Sequence, residues 1–147
     1  MDADVAMKDP ADLRFEDIQV GDRASFRHQI TQDDIERFAA LSGDRNPLHL
    51  DATYAQTTEF TRPIVHGMLL ASLLSRLVGM YLPGRRALYL SQSLDFASPV
   101  YSGEQVEVIG WVQQKNEAMR VLVLRTEIYA PPQRLAVRGK AHVKVLP

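Results

Sequence analysis

The sequence predicts an α+β fold in which a curved antiparallel sheet wraps one long helix. Two observations carry this. The most apolar stretch, Ile64 to Leu82, presents apolar side chains on nearly every helical face, as a helix covered by other structure does. Beyond the Pro83-Gly84 turn the pattern changes to four strand-like segments separated by turn residues, which is the order expected of an α+β domain.

The elements follow in order. A first strand is expected from Ala24 to Ile30, after the Val20-Gly21-Asp22 turn. Thr31 reads as an N-cap with Asp34 completing a capping box, and Ile35, Phe38 and Ala39 follow at helical spacing, so a short amphipathic helix should end near Gly43. Asp44 to Leu50, interrupted by Pro47, reads as a loop, and Asp51 as the cap of a further short turn. The Ile64–Leu82 helix approaches the length of a membrane span, but His66, Ser72, Ser75 and Arg76 interrupt it, and charge within a membrane is costly. The strands are expected at Ala87 to Phe96, Gln105 to Gln113, Arg120 to Ala130 and Arg134 to Val145. Val106, Val108, Val121 and Val123 alternate as in strands covered on one face.

Composition narrows the function classes. The chain has 147 residues, 46% hydrophobic and 24% charged, which suits one globular domain and leaves no room for two catalytic domains. Residues 1–14 read as a flexible tail and 15–147 as a single domain. Seventeen basic against eighteen acidic residues give a net charge of −1, so nonspecific nucleic-acid binding has little electrostatic support. Cysteine is absent, which removes disulfides, thiolate metal sites and cysteine nucleophiles together. Met1 to Pro10 carries three aspartates and lacks the apolar core of a signal peptide. The expected location is cytoplasmic, with no membrane partner.

Two segments bring chemistry-bearing residues to boundaries between loop and helix. In Ser42-Gly-Asp-Arg-Asn-Pro-Leu-His49, Gly43 can turn the chain and Pro47 stiffens its return. Such a loop can hold Asp44 and His49 over one small volume, where they would position a water and move its proton. The same residues also suit a plain turn, with Asp44 and Asn46 bonded to backbone and His49 packing. In Arg62-Pro-Ile-Val-His-Gly-Met68, the Gly67 amide would lie among the unpaired donors of a helix N-terminus. That makes it either an oxyanion donor or a tight entry turn with His66 capping or filling space. His28 and His142, on predicted strands with no acidic or nucleophilic neighbour in sequence, read as solvated or packed. No Gly-x-Ser-x-Gly elbow, His-Glu-x-x-His pair or glycine-rich phosphate loop occurs.

These two segments resemble the MaoC-like family of hot-dog-fold hydratases. The residues that carry the resemblance are Phe38-Ala-Ala-Leu-Ser-Gly-Asp-Arg-Asn-Pro-Leu-His49, Ala55, Arg62-Pro-Ile-Val-His-Gly-Met-Leu-Leu-Ala-Ser72, Leu82-Pro-Gly84, Tyr89-Leu-Ser-Gln-Ser-Leu-Asp-Phe96 and Pro99-Val100. Within the family the chain looks most like the short bacterial (R)-specific enoyl-CoA hydratases linked to polyhydroxyalkanoate synthesis. The resemblance implies a hot-dog fold, Asp44 and His49 as the catalytic pair, the Gly67 amide on the thioester oxygen, and Asn46 and His66 in support. It also implies Ser75 in the acyl pocket, an acyl-CoA substrate, no metal or organic cofactor, and a homodimer. Arg62, Arg85 and Arg86 are candidate partners for CoA phosphates, or ordinary surface arginines. A dehydratase acting on carrier-protein thioesters, a thioesterase and a non-catalytic acyl-thioester-binding module are the alternatives.

Overall fold

The computed structural model describes residues 9–147. Among the described residues, six strands form one antiparallel sheet. They are β1 (Arg23–Gln29), β2 (Ala87–Gln92), β3 (Asp95–Phe96), β4 (Gln105–Asn116), β5 (Val121–Ala130) and β6 (Arg134–Val145). The order across the sheet is β1-β4-β5-β6-β2, with the short β3 also pairing to β6. The single strand expected over Ala87–Phe96 is two, because Ser93 and Leu94 drop out of the ladder with β6 while the register is kept, Gln92 opposite Ala141 and Asp95 opposite Arg138; within β2 the pairing also slips between Tyr89 and Ser91. Register also shifts in β4 between Val112 and Gln114. Such irregularities bend a strand and increase its twist, which curves the sheet around what it covers.

Among the described residues, four α-helices accompany the sheet: α1 (Gln32–Ser42), α2 (Pro47–Leu50), α3 (Ala52–Ala55) and α4 (Gly67–Arg76). The capping box forms as expected: Asp34 N–H donates to Thr31 Oγ1, and Thr31 N–H to Asp34 Oδ2, both at 3.1 Å. Asp34 Oδ2 also lies 2.9 Å from His28 Nε2. His28 therefore has the acidic partner that the sequence reading denied it, because β1 and the start of α1 meet side by side. His142 pairs instead with the Ser91 hydroxyl, at 3.0 Å. Asp51 caps α3 through the Tyr54 amide.

Two further expectations need correction. The central helix does not run from Ile64 to Leu82. Ile64 forms a bridge with Tyr101, and Val65 N–H donates to Val100 O at 2.7 Å, so the entry is extended and α4 begins only at Gly67. After Arg76 the helix widens into a π-type turn over Leu77–Tyr81. Its buried side chains, Leu69, Leu70, Leu74, Leu77 and Val78, enter two adjoining core clusters beneath the sheet. Arg76 fits this helix because its guanidinium lies over the Phe26 ring at 4.2 Å, which keeps the charge against a polarisable face. Full burial of a leucine such as Leu74 contributes about 1.5–3 kcal/mol.

The tail expected over residues 1–14 is the second correction. Residues 1–8 lie outside the described region, but Ala11 N–H donates to Met80 O and Leu13 N–H to Pro83 O. Asp12 bridges to Gly84 and pairs with Arg86. Backbone bonds thus tie residues 11–13 onto the folded domain. Among the described residues, no helix is long and apolar enough to cross a membrane.

Candidate active site

The site is built where α1 ends. Gly43 adopts the left-handed conformation, φ 80°, and its N–H closes onto Ala39 O. A glycine makes that turn without the strain a Cβ would bring. The chain then reverses through Asp44, whose Oδ1 accepts the Asn46 amide at 3.2 Å. Asn46 Oδ1 in turn accepts the Leu48 amide at 3.0 Å, capping α2 with Pro47 in its first turn. The stretch expected as a plain loop therefore contains one helical turn, and that turn presents His49. Asp44 is exposed and His49 half-buried.

Both histidines are held by main-chain carbonyls. His49 Nδ1 donates to Ile64 O at 2.8 Å, which leaves the Nε2 lone pair as the basic position of the ring. His66 Nε2 donates to Asp44 O at 3.1 Å. The two rings stack, with centroids 3.9 Å and planes 28° apart, and Phe38 covers His66 from another side at 4.9 Å. Burial is the main cause holding the His66 imidazole below its ordinary pKa of 6.5; the bond to Asp44 O opposes it, and the neighbouring His49 adds to it. The neutral form of His66 is thereby favoured.

Gly67 is the first residue of α4, so its N–H lies outside the helical ladder, at the positive end of the helix. A Cβ on Gly67 would come within 2.8 Å of the Phe96 ring. Asp44, His49, His66 and Gly67 line one cavity of about 470 Å³ with Phe60, Ile64, Met68, Phe96 and Pro99. Two of the carboxylate–imidazole–amide groups therefore come from one chain reversal and the third from the helix entry. Of the apolar wall, Ile64, Met68, Phe96 and Pro99 belong to the segments that carry the resemblance, but the sequence assigned none of them a place in the cavity.

The other predicted residues are more dispersed. Ser75 lies on the exposed face of α4 and lines a separate apolar groove of about 310 Å³ with Phe38, Met68, Ala71, Tyr89 and Gln92; Phe38 and Met68 link this groove to the His66 side of the first cavity. None of Arg62, Arg85 and Arg86 lines the first cavity. Arg62 lies over the Tyr101 ring at 3.9 Å, between the cavity residues Phe60 and Ile64 in sequence. Arg86 is held by Asp12 at 2.5 Å, and Arg85 is exposed.

Asp44, His49 and His66 each have one potential metal-ligating atom within 4.8 Å of the others. Their geometry does not suit an ion. Imidazole lone pairs lie in the ring plane, so an ion in the plane of one stacked ring would sit well out of the plane of the other. The His66 nitrogen that could turn toward Asp44 already carries the proton bonded to Asp44 O.

Fold and cavity together define a hot-dog domain with a carboxylate–imidazole pair and a helix-entry amide facing one largely apolar cavity. The chain belongs to the MaoC-like family: the family's domain model matches residues 17–129. It is 46% identical over 128 residues to the (R)-specific enoyl-CoA hydratase of Aeromonas caviae, covering 87% of this chain and 96% of that one. The (R)-specific enoyl-CoA hydratase of Rhodospirillum rubrum is 47% identical over 131 residues, covering 89% and 90%. The solved structure of the A. caviae (R)-hydratase involved in PHA biosynthesis superposes with a TM-score of 0.85 at 47% identity, over 88% of this chain and 98% of that one.

Proposed function

We propose that the chain is a hydro-lyase that adds water across trans-2-enoyl-CoA to give (R)-3-hydroxyacyl-CoA, as its relatives' names describe. The observation that carries this reading is the convergence of Asp44, His49 and Gly67 on one cavity. The thioester carbonyl conjugates with the double bond and makes C3 electrophilic. A hydrogen bond from Gly67 N–H strengthens that polarisation and stabilises the enolate-like charge as it develops. Asp44 and the free Nε2 of His49 hold one water. The pair removes its proton as the oxygen bonds C3, the π electrons move toward C2 and the carbonyl, and the pair returns a proton to C2. Oxygen and hydrogen arrive from one side, so the addition is syn.

Asn46 supports this geometry by fixing the turn between Asp44 and His49. The groove beside Ser75 receives the acyl tail. Arg62, flanked in sequence by cavity residues, is better placed for a CoA phosphate than Arg86, whose guanidinium is held by Asp12. The chain works as a cytoplasmic homodimer of single hot-dog domains. In support, β2 is an edge strand exposing Leu88 and Leu90, 47% and 52% accessible, and such an edge invites antiparallel pairing with a second copy. Tyr89 and Gln92 of the same strand line the open groove, so that pairing also roofs the acyl site.

Loss of crotonyl-CoA absorbance with formation of the (R)-3-hydroxy product is the expected result. Release of free CoA without hydration would reject the reading in favour of a thioesterase. The absence of any turnover with bound acyl-CoA would favour a binding module.

A further inference from the structure

His66 stands at the N-cap of α4, yet its side chain makes no bond to that helix. It is 1% exposed, and its hydrogen bond crosses to the main-chain oxygen of Asp44. Its other nitrogen, Nδ1, is buried with no partner. Neither a cap nor a filler accounts for this. A cap would bond its own helix, and a filler would carry no unpartnered acceptor, which is destabilising in an interior. Instead the ring joins three functional groups: it holds the Asp44 backbone, lies against His49 at 3.9 Å, and immediately precedes Gly67.

We propose that His66 is a positioning residue of the active site, whose Nε2–H fixes the Asp44 main chain while its ring face supports His49, setting both against the Gly67 amide. This inference rests on the hydratase reading of the site. Only one donor atom suits the role. A neutral imidazole protonated on Nε2 gives its proton to a carbonyl and places no charge beside the pair. The titratable groups facing it are Asp44 and His49, and Phe38 closes another side. Misplacement of a catalytic group by about 1 Å can lower the rate by about a hundredfold, so loss of the tie should appear in kcat rather than KM.

Three variants separate the donor from the ring. His66→Gln keeps an amide N–H near the Nε2 position, His66→Asn reaches only to Nδ1, and His66→Phe keeps a flat ring with no donor. With crotonyl-CoA, the Phe and Asn variants should lose about 10- to 100-fold in kcat, with KM within about twofold of the parent. The Gln variant should keep kcat within about fivefold of the parent. A folded Phe variant with parental kcat, or equal losses in Gln and Asn, would overturn the proposal. Nitrogen-15 NMR of the unaltered protein decides it independently of activity and of variant folding. His66 should carry its proton on Nε2, whereas a proton on Nδ1 overturns the inference. A parent chain that fails to hydrate crotonyl-CoA strikes the hydratase reading instead, and the NMR result still decides the His66 tie.

Discussion

His49 and His66 stack face to face at 3.9 Å, yet their ring N–H groups go to different carbonyls, Ile64 O and Asp44 O. One segment on either side of the cavity is thereby locked to the other. The loop histidine bonds the approach to α4, and the histidine preceding α4 bonds the loop. This reciprocal tie gives the carboxylate, the imidazole and the Gly67 amide a common frame.

Asp44→Asn should leave the fold intact, because an amide Oδ1 still accepts the Asn46 N–H that closes the turn. It removes the carboxylate's charge and basicity. Turnover should fall about 10²- to 10⁴-fold, with His49→Ala falling comparably. Steady-state kinetics beside circular dichroism checks this, and near-parental turnover in both folded variants would defeat the proposed chemistry.

Gly67→Ala should damage the site more than the fold. The added Cβ meets the Phe96 ring at 2.8 Å, but that ring is 53% exposed and can swing outward. The swing alters the cavity wall over the Gly67 amide, and on the proposed oxyanion role kcat/KM should fall about tenfold or more. Adding Phe96→Ala removes the clash, so the double variant should lose less than the two single losses combined. A double-mutant cycle reads this coupling directly, and strictly additive losses would contradict it.

The legible part of the molecule was what local sequence determines. Thr31 with Asp34 announced the start of α1, Gly43 its end, and the alternating valines the later strands, because capping, left-handed turns and one-sided burial each act within a few residues. The bounds of the central helix were not legible, since Ile64 and Val65 are as apolar as the helix proper and are drawn into extended pairing by Tyr101 and Val100, some 35 residues away. In the candidate site, the gathering of Asp44, His49 and Gly67 about one cavity was readable from motif and resemblance together. That Phe96, part of a segment carrying the resemblance, walls the cavity was not, nor were the Asp34 partner of His28 and the bond from His66 to Asp44, because each depends on elements meeting in space.

Acid should weaken the β1–α1 junction. Burial pushes the Asp34 carboxyl upward, but the Thr31 amide and the His28 ring outweigh it and hold it below the usual 3.8. A depressed carboxyl stabilises the fold above its unfolded value, and that contribution disappears as pH falls through the folded value. Because Asp34 is partly exposed, screening limits the gain to about 1 kcal/mol or less. Asp34→Asn should therefore be slightly less stable than the parent at pH 7, with the two converging as pH falls through the depressed value of the folded carboxyl. Thermal melts across pH check this, and a gap that widens in acid would refute it.

Ser75→Leu should test the proposal that the groove beside Ser75 receives the acyl tail. Its side chain enters the 310 Å³ space between α4 and β2, which a four-carbon tail scarcely needs. Turnover of crotonyl-CoA should change by about twofold or less, while an eight-carbon enoyl-CoA should lose about tenfold or more in kcat/KM, the scale on which a few methylenes discriminate. Equal effects on both substrates would place the tail elsewhere.

The central claim is that one carboxylate–imidazole pair delivers both parts of water to one face of the double bond. Hydration of crotonyl-CoA in heavy water, with the product's configuration read at C2 and C3, tests it most directly. The account predicts (R)-3-hydroxybutyryl-CoA with deuterium at C2 added syn to the new hydroxyl. An (S) product, or anti addition, would contradict it.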